Sequence, residues 1–201
     1  MRRLIVLEMV TLDGVMQAPG GREEDQRGGF THGGWSGPYN DPVKMQVMGE
    51  GMSQRADMLF GRWTYEKFYK VWSGRTDNPF TAVFERSRKY VASRTLSGPL
   101  PWVNSTLLEG DAADAVVRLK QEPGPDLLVM GSGVLAASLM QRGLIDEYQL
   151  LIHPLVLGSG RRFFTDGFPR SDLRLVKSVP TTTGVIIATY HPVDRAAGVE
   201  A

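Results

Sequence analysis

The chain contains no cysteine. That excludes disulfides, thiolate metal sites and thiol chemistry. Histidine is scarce. His32, His153 and His191 stand far apart, which argues against a histidine-built zinc site, and no metal is expected. Neither sign of charge is in excess. With 23 basic and 22 acidic residues the net charge is +1, whereas a general nucleic-acid binder needs a positive field. Long apolar runs are missing too. The run Leu4–Leu7 stops at Glu8, too short for a bilayer span or for a signal sequence behind Arg2 and Arg3. These absences lead to the expectation of a soluble, cytoplasmic protein with neither membrane nor nucleic acid as partner.

What is present is ordinary globular composition, 42% hydrophobic and 22% charged over 201 residues. That length suits one domain. No internal repeat or linker divides it. A single domain over 1–192 is expected, with a small, polar tail at 193–201 that frays.

Leu4–Val10 reads as a strand covered on both faces, being almost continuously apolar. The turn Thr11-Leu12-Asp13-Gly14 ends it. Residues 16–40 form a long Gly-rich loop holding Phe30, Trp35 and Tyr39, and loops of that length in compact domains are functional or mobile. Asp41-Pro42 opens a helix, Asp as cap and Pro in the first turn, with Val43, Val47, Gly51 and Met52 on one face. Strands follow at Asp57–Phe60, Lys89–Ala92, Trp102–Val103 and Leu127–Met130. Helices follow at Thr64–Val71, from Asn78-Pro79, after Asp111 and after Gly131-Ser132-Gly133. The last third changes character. Asp146–His153, Leu173–Val179 and Val185–His191 read as strands without helices between them. The pattern predicts an α/β fold: a mainly parallel central sheet flanked by helices, finished by antiparallel strands.

Two strand-to-helix junctions carry glycine, Phe60-Gly61-Arg62-Trp63-Thr64-Tyr65-Glu66 and Val129-Met130-Gly131-Ser132-Gly133-Val134-Leu135. A helix start offers free N–H groups and a positive dipole end, and glycine lets a phosphate reach the backbone. Two such junctions in one sheet suit the two ends of a pyrophosphate-containing ligand. Gly131–Ala136 also fits a G-x-G-x-x-A dinucleotide fingerprint. That motif opens a βαβ unit, however, and here antiparallel strands follow. Arg62 just past one turn, and Ser93-Arg94 at another strand end, suit a terminal 2′-phosphate, which favours NADPH over NADH. Each arginine is equally readable as a solvated surface charge.

In these segments the chain resembles the dihydrofolate reductase superfamily, in particular the branch of the C-terminal reductase domain of bacterial riboflavin biosynthesis. Five segments carry the likeness in family order: Thr11–Val15, Gly61–Glu66, Val91–Arg94, Val129–Leu135, and Asp146-Glu147-Tyr148 running into Pro154–Gly160. The resemblance implies a dihydrofolate-reductase-like sheet of about eight strands with NADPH across its C-terminal edge. It implies cofactor contacts from Gly61, Arg62 and Thr64, from Ser93 and Arg94, and from Gly131, Ser132, Gly133, Val134 and Leu135. It places the loop from Asp13 through Tyr39 beside nicotinamide and substrate, and implies a homodimer paired through the later strands. Tyr148, Leu150 and Ile152 share a strand face that either joins subunits or fills the core. Gly158–Arg162 reads as a plain connection or as a further anion contact.

One departure stands out. Dihydrofolate reductases proper place a carboxylate on the first helix to bind the pterin, and the matching position falls near Met45, which is not acidic. Asp13, or water near it, is a candidate proton source. Asp41 is a second candidate acid, although its place before Pro42 suits capping. Trp35 and Tyr39 are candidates for stacking on a planar substrate. The expectation is an NADPH-dependent reductase of a small pterin- or pyrimidine-like heterocycle, or of a carbonyl or imine. The alternative is a non-catalytic NADPH-binding or assembly protein on the same fold.

Overall fold

A computed structural model describes residues 1–53 and 56–193. The strands are β1 (Leu4–Thr11), β2 (Ala56–Gly61), β3 (Lys89–Ala92), β4 (Ser105–Leu107), β5 (Asp126–Met130), β6 (Glu147–His153), β7 (Leu173–Pro180) and β8 (Ile186–Pro192). They form one sheet in the order β4-β3-β2-β5-β1-β6-β8-β7. The pairs from β4 through β6 are parallel, whereas β8 runs antiparallel to both β6 and β7.

The helices are α1 (Pro42–Ser53), α2 (Arg62–Trp72), α3 (Pro79–Arg86), α4 (Ala112–Gln121) and α5 (Gly133–Gln141). They divide between the two faces. Leu4, Val6 and Val10 of β1 pack with Val129 of β5 and with Val116 and Leu119 of α4 and Leu135 and Leu139 of α5. Ile5 and Leu7 point the other way, to Phe60 of β2, Tyr65 of α2, Phe84 of α3 and Val47 of α1. This is why the β1 and β5 sequences are near-continuous apolar runs. Side chains alternate between faces, and here both faces are buried.

The order of strands positions the site. β5 is inserted between β2 and β1. From these neighbours, α2 departs to one face of the sheet and α5 to the other. Connections that separate in this way open a crevice at the C-terminal edge, where ligands of open α/β sheets bind.

Two sequence expectations need correction, at Trp102–Val103 and on α1, and the alternative left open for the Tyr148 face is decided. The strand expected at Trp102–Val103 lies at Ser105–Leu107 instead. Trp102 is buried against Tyr65, Tyr69 and Phe84, its amide donates to the Tyr65 hydroxyl, and its indole N–H donates to Glu85. An aromatic anchor, not a ladder, fixes that segment. Tyr148 and Leu150 are core side chains beneath α5 with Ile152 packed beside them, so that face serves the subunit itself. On α1 the buried face holds Lys44, Val47 and Met48; Lys44 takes a place where the sequence suggested only apolar residues. Val193 donates its amide to the Asp172 carbonyl, and the remainder of the tail expected to fray lies outside the described residues.

One ion pair ties the sheet's N-terminal edge. Arg2 meets Asp57 at 2.5 Å, the side chains being 3% and 6% exposed. Its Nε donates to the Pro125 carbonyl. Removing one partner strands a buried charge. Asp57→Ala is expected to lose about 3–5 kcal/mol of stability in urea unfolding, and the double variant Arg2→Met/Asp57→Leu should recover much of that loss.

Candidate functional site

The two glycine junctions meet. The Gly61 amide donates to the Ser132 hydroxyl at 3.0 Å, and the Ser132 amide donates to Thr64 Oγ1 at 3.0 Å. A Cβ built on Gly61 would lie 3.8 Å from Cβ of both Leu135 and Ser132, and one built on Gly131 would lie 3.4 Å from Thr64 Cγ2. The turns are therefore in van der Waals contact and locked together.

The locking has a backbone cost. Ser132 lies in the left-handed region at φ 59° and ψ 40°, immediately after Gly131 at φ 62°. A non-glycine residue there costs about 1–2 kcal/mol, offset by the two hydrogen bonds across to α2. Ser132 is the N-cap residue of α5, yet its hydroxyl does not cap that helix. Gly61, N-cap residue of α2, has no side chain with which to cap. Neither helix carries an acid in its first turn. Two adjacent helix starts thus keep their N–H groups and positive dipole ends available to an anion. Of the other α5 positions named from sequence, Val134 is 77% exposed while Leu135 is core.

Beside this cradle, Arg62 pairs with Glu66 at 2.8 Å and donates to Thr95 Oγ1 at 2.6 Å. Ser93 Oγ accepts from the amides of Thr95 and Leu96. Arg62, Ser93 and Thr95 therefore form one exposed polar cluster across the ends of β2 and β3. Thr95 was not singled out from sequence. Arg94 is exposed and makes no ion pair among the described residues.

The candidate acids have other duties. Asp13 accepts from the Thr11 hydroxyl at 2.6 Å and from the amides of Leu157 and Gly158. These bonds, the Thr11 hydroxyl foremost, hold its carboxyl below the usual range; it is an acceptor at neutral pH. Asp41 caps α1 through the Lys44 amide at 2.6 Å. Its other oxygen takes the Thr182 hydroxyl at 2.8 Å and the Thr183 amide at 3.1 Å. The Lys44 amide first, then Thr182 and Thr183, hold it well below its ordinary value. Asp41 thus ties α1 to the β7–β8 turn, a capping role that its place before Pro42 anticipated.

The long loop is packed, not loose. Val15, Ala18, Phe30 and Trp35 form a small core of their own with Leu155 and Leu157. Gly160 is needed there, because a Cβ at φ +115° would meet Phe30 at 2.7 Å and Val15 at 2.8 Å. This gives Gly158–Arg162 a structural role, reinforced by the Val15–Arg162 bridge. The loop leans on the cradle at two points. The Met16 sulfur lies 2.7 Å from where a Gly133 Cβ would be, and the Arg27 guanidinium sits 4.2 Å from the Trp63 ring at the start of α2. Trp35 and Tyr39, candidates for substrate stacking, instead meet His153 edge-on at 5.0 and 5.7 Å. The indole N–H of Trp35 donates to the Gln17 carbonyl.

Sequence reasoning missed three buried groups around this crevice. Lys44 and His153 are 3% and 0% exposed, with Nζ 3.4 Å from Nε2. His153 Nδ1 lies 2.9 Å from the Leu151 carbonyl. That contact assigns the proton to Nδ1 and leaves Nε2 to accept from lysine. Burial first and the Lys44 cation second lower the imidazole's pKa, and burial lowers the lysine's. Lys44 stands next to Met45, the position where a first-helix acid was sought; Met45 itself is half exposed. The third group, Glu8, is 3% exposed and lies on β1 between Val6 and Val10. A lysine on an amphipathic helix reads as solvated, so nothing in the sequence marked Lys44. For Glu8 a signal was present, an acid inside an almost wholly apolar strand, although sequence reasoning gave it no role. Among the described residues no group of three His, Asp or Glu could hold a metal ion, and no helix is long and apolar enough to cross a membrane.

Known proteins share this architecture. A family model described as the RibD C-terminal domain matches residues 2–187. The uncharacterized protein YyaP of Bacillus subtilis (strain 168) is 28% identical over 202 residues, covering 94% of this chain and 95% of YyaP. A putative riboflavin biosynthesis protein from Shewanella sp. PV-4 superposes with a TM-score of 0.69 at 23% identity, covering 96% of this chain and 99% of that one. Dihydrofolate reductase from Enterococcus faecalis, solved with NADP(H) and RAB-propyl, superposes with a TM-score of 0.59 at 16% identity, covering 96% and 97%. At those identities the two structures speak to the fold, which is dihydrofolate-reductase-like.

The Asp41 tie gives a pH signature. A carboxylate held below its unfolded value stabilises fully above that value and loses its contribution as pH falls through it toward the folded one. The stability difference between wild type and Asp41→Asn should be full near neutral pH. It should shrink as pH drops below about 4, as read by thermal unfolding across an acid series.

Proposed function

The chain belongs to the RibD C-terminal domain family, and from that membership we propose that it is an NADPH-dependent reductase of a small heterocycle, carbonyl or imine, working as a soluble cytoplasmic enzyme. The observation that carries this reading is the locked pair of helix starts at Gly61 and Gly131-Ser132-Gly133.

The residues fit the cofactor. Thr64 and Gly133, with the first turn of α5 at Val134 and Leu135, would hold the pyrophosphate on backbone N–H groups, while Gly61, Gly131 and Ser132, whose lock uses the Gly61 and Ser132 amides, would shape the turns around it. Arg62, Ser93 and Arg94, together with Thr95, would take the 2′-phosphate; a guanidinium suits it by forked hydrogen bonding. When bound, NADPH supplies a hydride, while the protein contributes orientation and exclusion of water. Met16 against Gly133 and Arg27 on Trp63 keep the long loop over this crevice, which supports a role for it beside the reacting ring.

On the substrate side, Lys44 supports an acceptor that carries a carbonyl or acidic group. A carboxylate would suit the amidine edge of a pterin; a buried ammonium suits an oxygen. Its ammonium has two partners among the described residues, Asn40 Oδ1 and His153 Nε2, and three protons to give. A homodimer of this chain would use the edge strand β7, where Leu175 and Val176 are exposed, because the β6 face is occupied within the subunit.

A second reading, cofactor binding without turnover, draws on the engagement of Asp13 and Asp41, neither of which is poised to give a proton. NADPH oxidation in the presence of pterin, pyrimidine and quinone acceptors separates the two. Turnover with any of them supports the reductase; tight NADPH binding without turnover on the whole panel supports the binder.

Cofactor preference is expected to lie with NADPH over NADH in direct titration. Arg62→Ala should shrink that preference by about tenfold and leave NADH affinity nearly unchanged. Equal affinities for the two nucleotides in the wild type would overturn the 2′-phosphate assignment.

A further inference from the structure

Glu8 stands where a sheet of this kind has no use for a charge. It lies in the interior of β1, paired in register with Leu150 of β6. Side chains alternate along a strand, so Glu8 shares a face with Val6 and Val10, the face that α5 covers. Its level along the sheet is also fixed. Leu7 is registered with Met130, the last residue of β5, and Gly131 follows at once. Glu8 is therefore level with the point where β5 gives way to the glycine turn, under the start of α5. Met16, which rests against Gly133, packs on the same core.

The carboxyl is incompletely used. Oε2 is buried and has no hydrogen-bond partner among the described residues. A buried polar atom left in that state costs free energy unless a ligand or water completes it. Elsewhere the structure satisfies its buried charges closely. Lys89 donates to the carbonyls of Ser87 and Val103, and Arg2 pairs with Asp57. Among the buried ionisable side chains of the described residues Glu8 is the exception, the other unpartnered atoms being the Thr81 and Ser105 hydroxyls, and it lies beside the crevice.

We propose that Glu8 positions the nicotinamide end of the cofactor, its carboxyl pairing with the ring's carboxamide while the glycine turns hold the phosphates. Burial first, with Glu24 nearby adding like charge, raises its pKa well above the ordinary glutamate value despite the Met9 amide. A protonated carboxyl has one donor and a free acceptor. A primary carboxamide offers an N–H and a C=O side by side, so the two groups can close a ring of two hydrogen bonds. A phosphate, carboxylate or hydrocarbon would not complete Glu8 in both senses. This inference rests on the reading of the crevice as the NADPH site and adds the group that fixes the ring's rotation there. Glu8 is on this account a cofactor-binding residue, and it takes no part in moving the hydride.

The test is a binding titration of wild type, Glu8→Gln and Glu8→Leu with NADPH and with adenosine 2′,5′-bisphosphate, which lacks the nicotinamide. Glu8→Leu should weaken NADPH by about tenfold and leave the bisphosphate unchanged, which also reports that the variant is folded. Glu8→Gln, whose amide can form the same ring of bonds, should bind NADPH nearly as wild type. A second measurement needs no variant: NADPH in which the carboxamide is replaced by an acetyl group loses the N–H donor and should bind wild type more weakly. NADPH affinity unchanged in Glu8→Leu, or equal binding of the acetyl analogue, overturns the role of Glu8 while leaving the phosphate cradle standing. Failure of wild type to bind either NADPH or the bisphosphate overturns the cradle and this inference together.

Discussion

Ser132 holds the crevice in shape. Its hydroxyl accepts the Gly61 amide and its own amide reaches Thr64 Oγ1, so neither bond serves its own helix. The residue accepts a left-handed backbone to make both. In return, β2 and β5, whose helices leave to opposite faces, are fixed against each other at the point where the sheet opens. Were the hydroxyl to cap α5 in the ordinary way, it would compete for the N–H groups that an anion needs, and the two turns would lose their tie. The other contacts of the crevice, Met16 on Gly133 and Arg62 to Thr95, are built around that fixed pair.

The two faces of the sheet hold different chemistry beneath the same edge. On the face covered by α4 and α5, Glu8 is an acid in an apolar strand. On the other, Lys44 donates to a neutral His153 that stands against Trp35 and Tyr39. Burial pushes the acid toward its neutral form and both bases toward theirs. Desolvation thus works in a single direction on all three, disfavouring charge. Ionised carboxylates are kept for structural ties instead. Asp13 and Asp41 are surrounded by donors and stay ionised, each pinning a turn to a distant part of the chain. The division explains why the two acids most visible in the sequence are joints, while the groups with unused hydrogen-bonding capacity were less conspicuous.

The long segment between β1 and α1 shows how a loop can be ordered without regular structure. Its few apolar side chains converge on a small separate core with Leu155 and Leu157, and a glycine at 160 lets Phe30 and Val15 close upon the backbone. Aromatic residues that look available for a flat ligand are used to seat the loop. Where the loop meets the glycine turns it does so through a flexible methionine and a stacked arginine, contacts of the weaker kind.

The sequence by itself determined the elements and their order, because that information is local. Apolar runs of strand length, Asp-Pro and Asn-Pro helix starts, and glycine at strand ends each have a nearby physical cause. The glycine junctions, Arg62 and Ser93 were legible for the same reason. Tertiary structure decided what depends on contacts across the chain. That Gly61 and Ser132, far apart in sequence, exchange hydrogen bonds follows from β5 inserting beside β2. That Lys44 is buried follows from the way α1 rolls onto the sheet against His153, which its own pattern does not encode. Trp102 became an anchor because Tyr65 and Phe84 were there to receive it. Glu8 lies between the two cases: its oddity was written in the strand, but only the register of β1 with β5 put it level with the crevice.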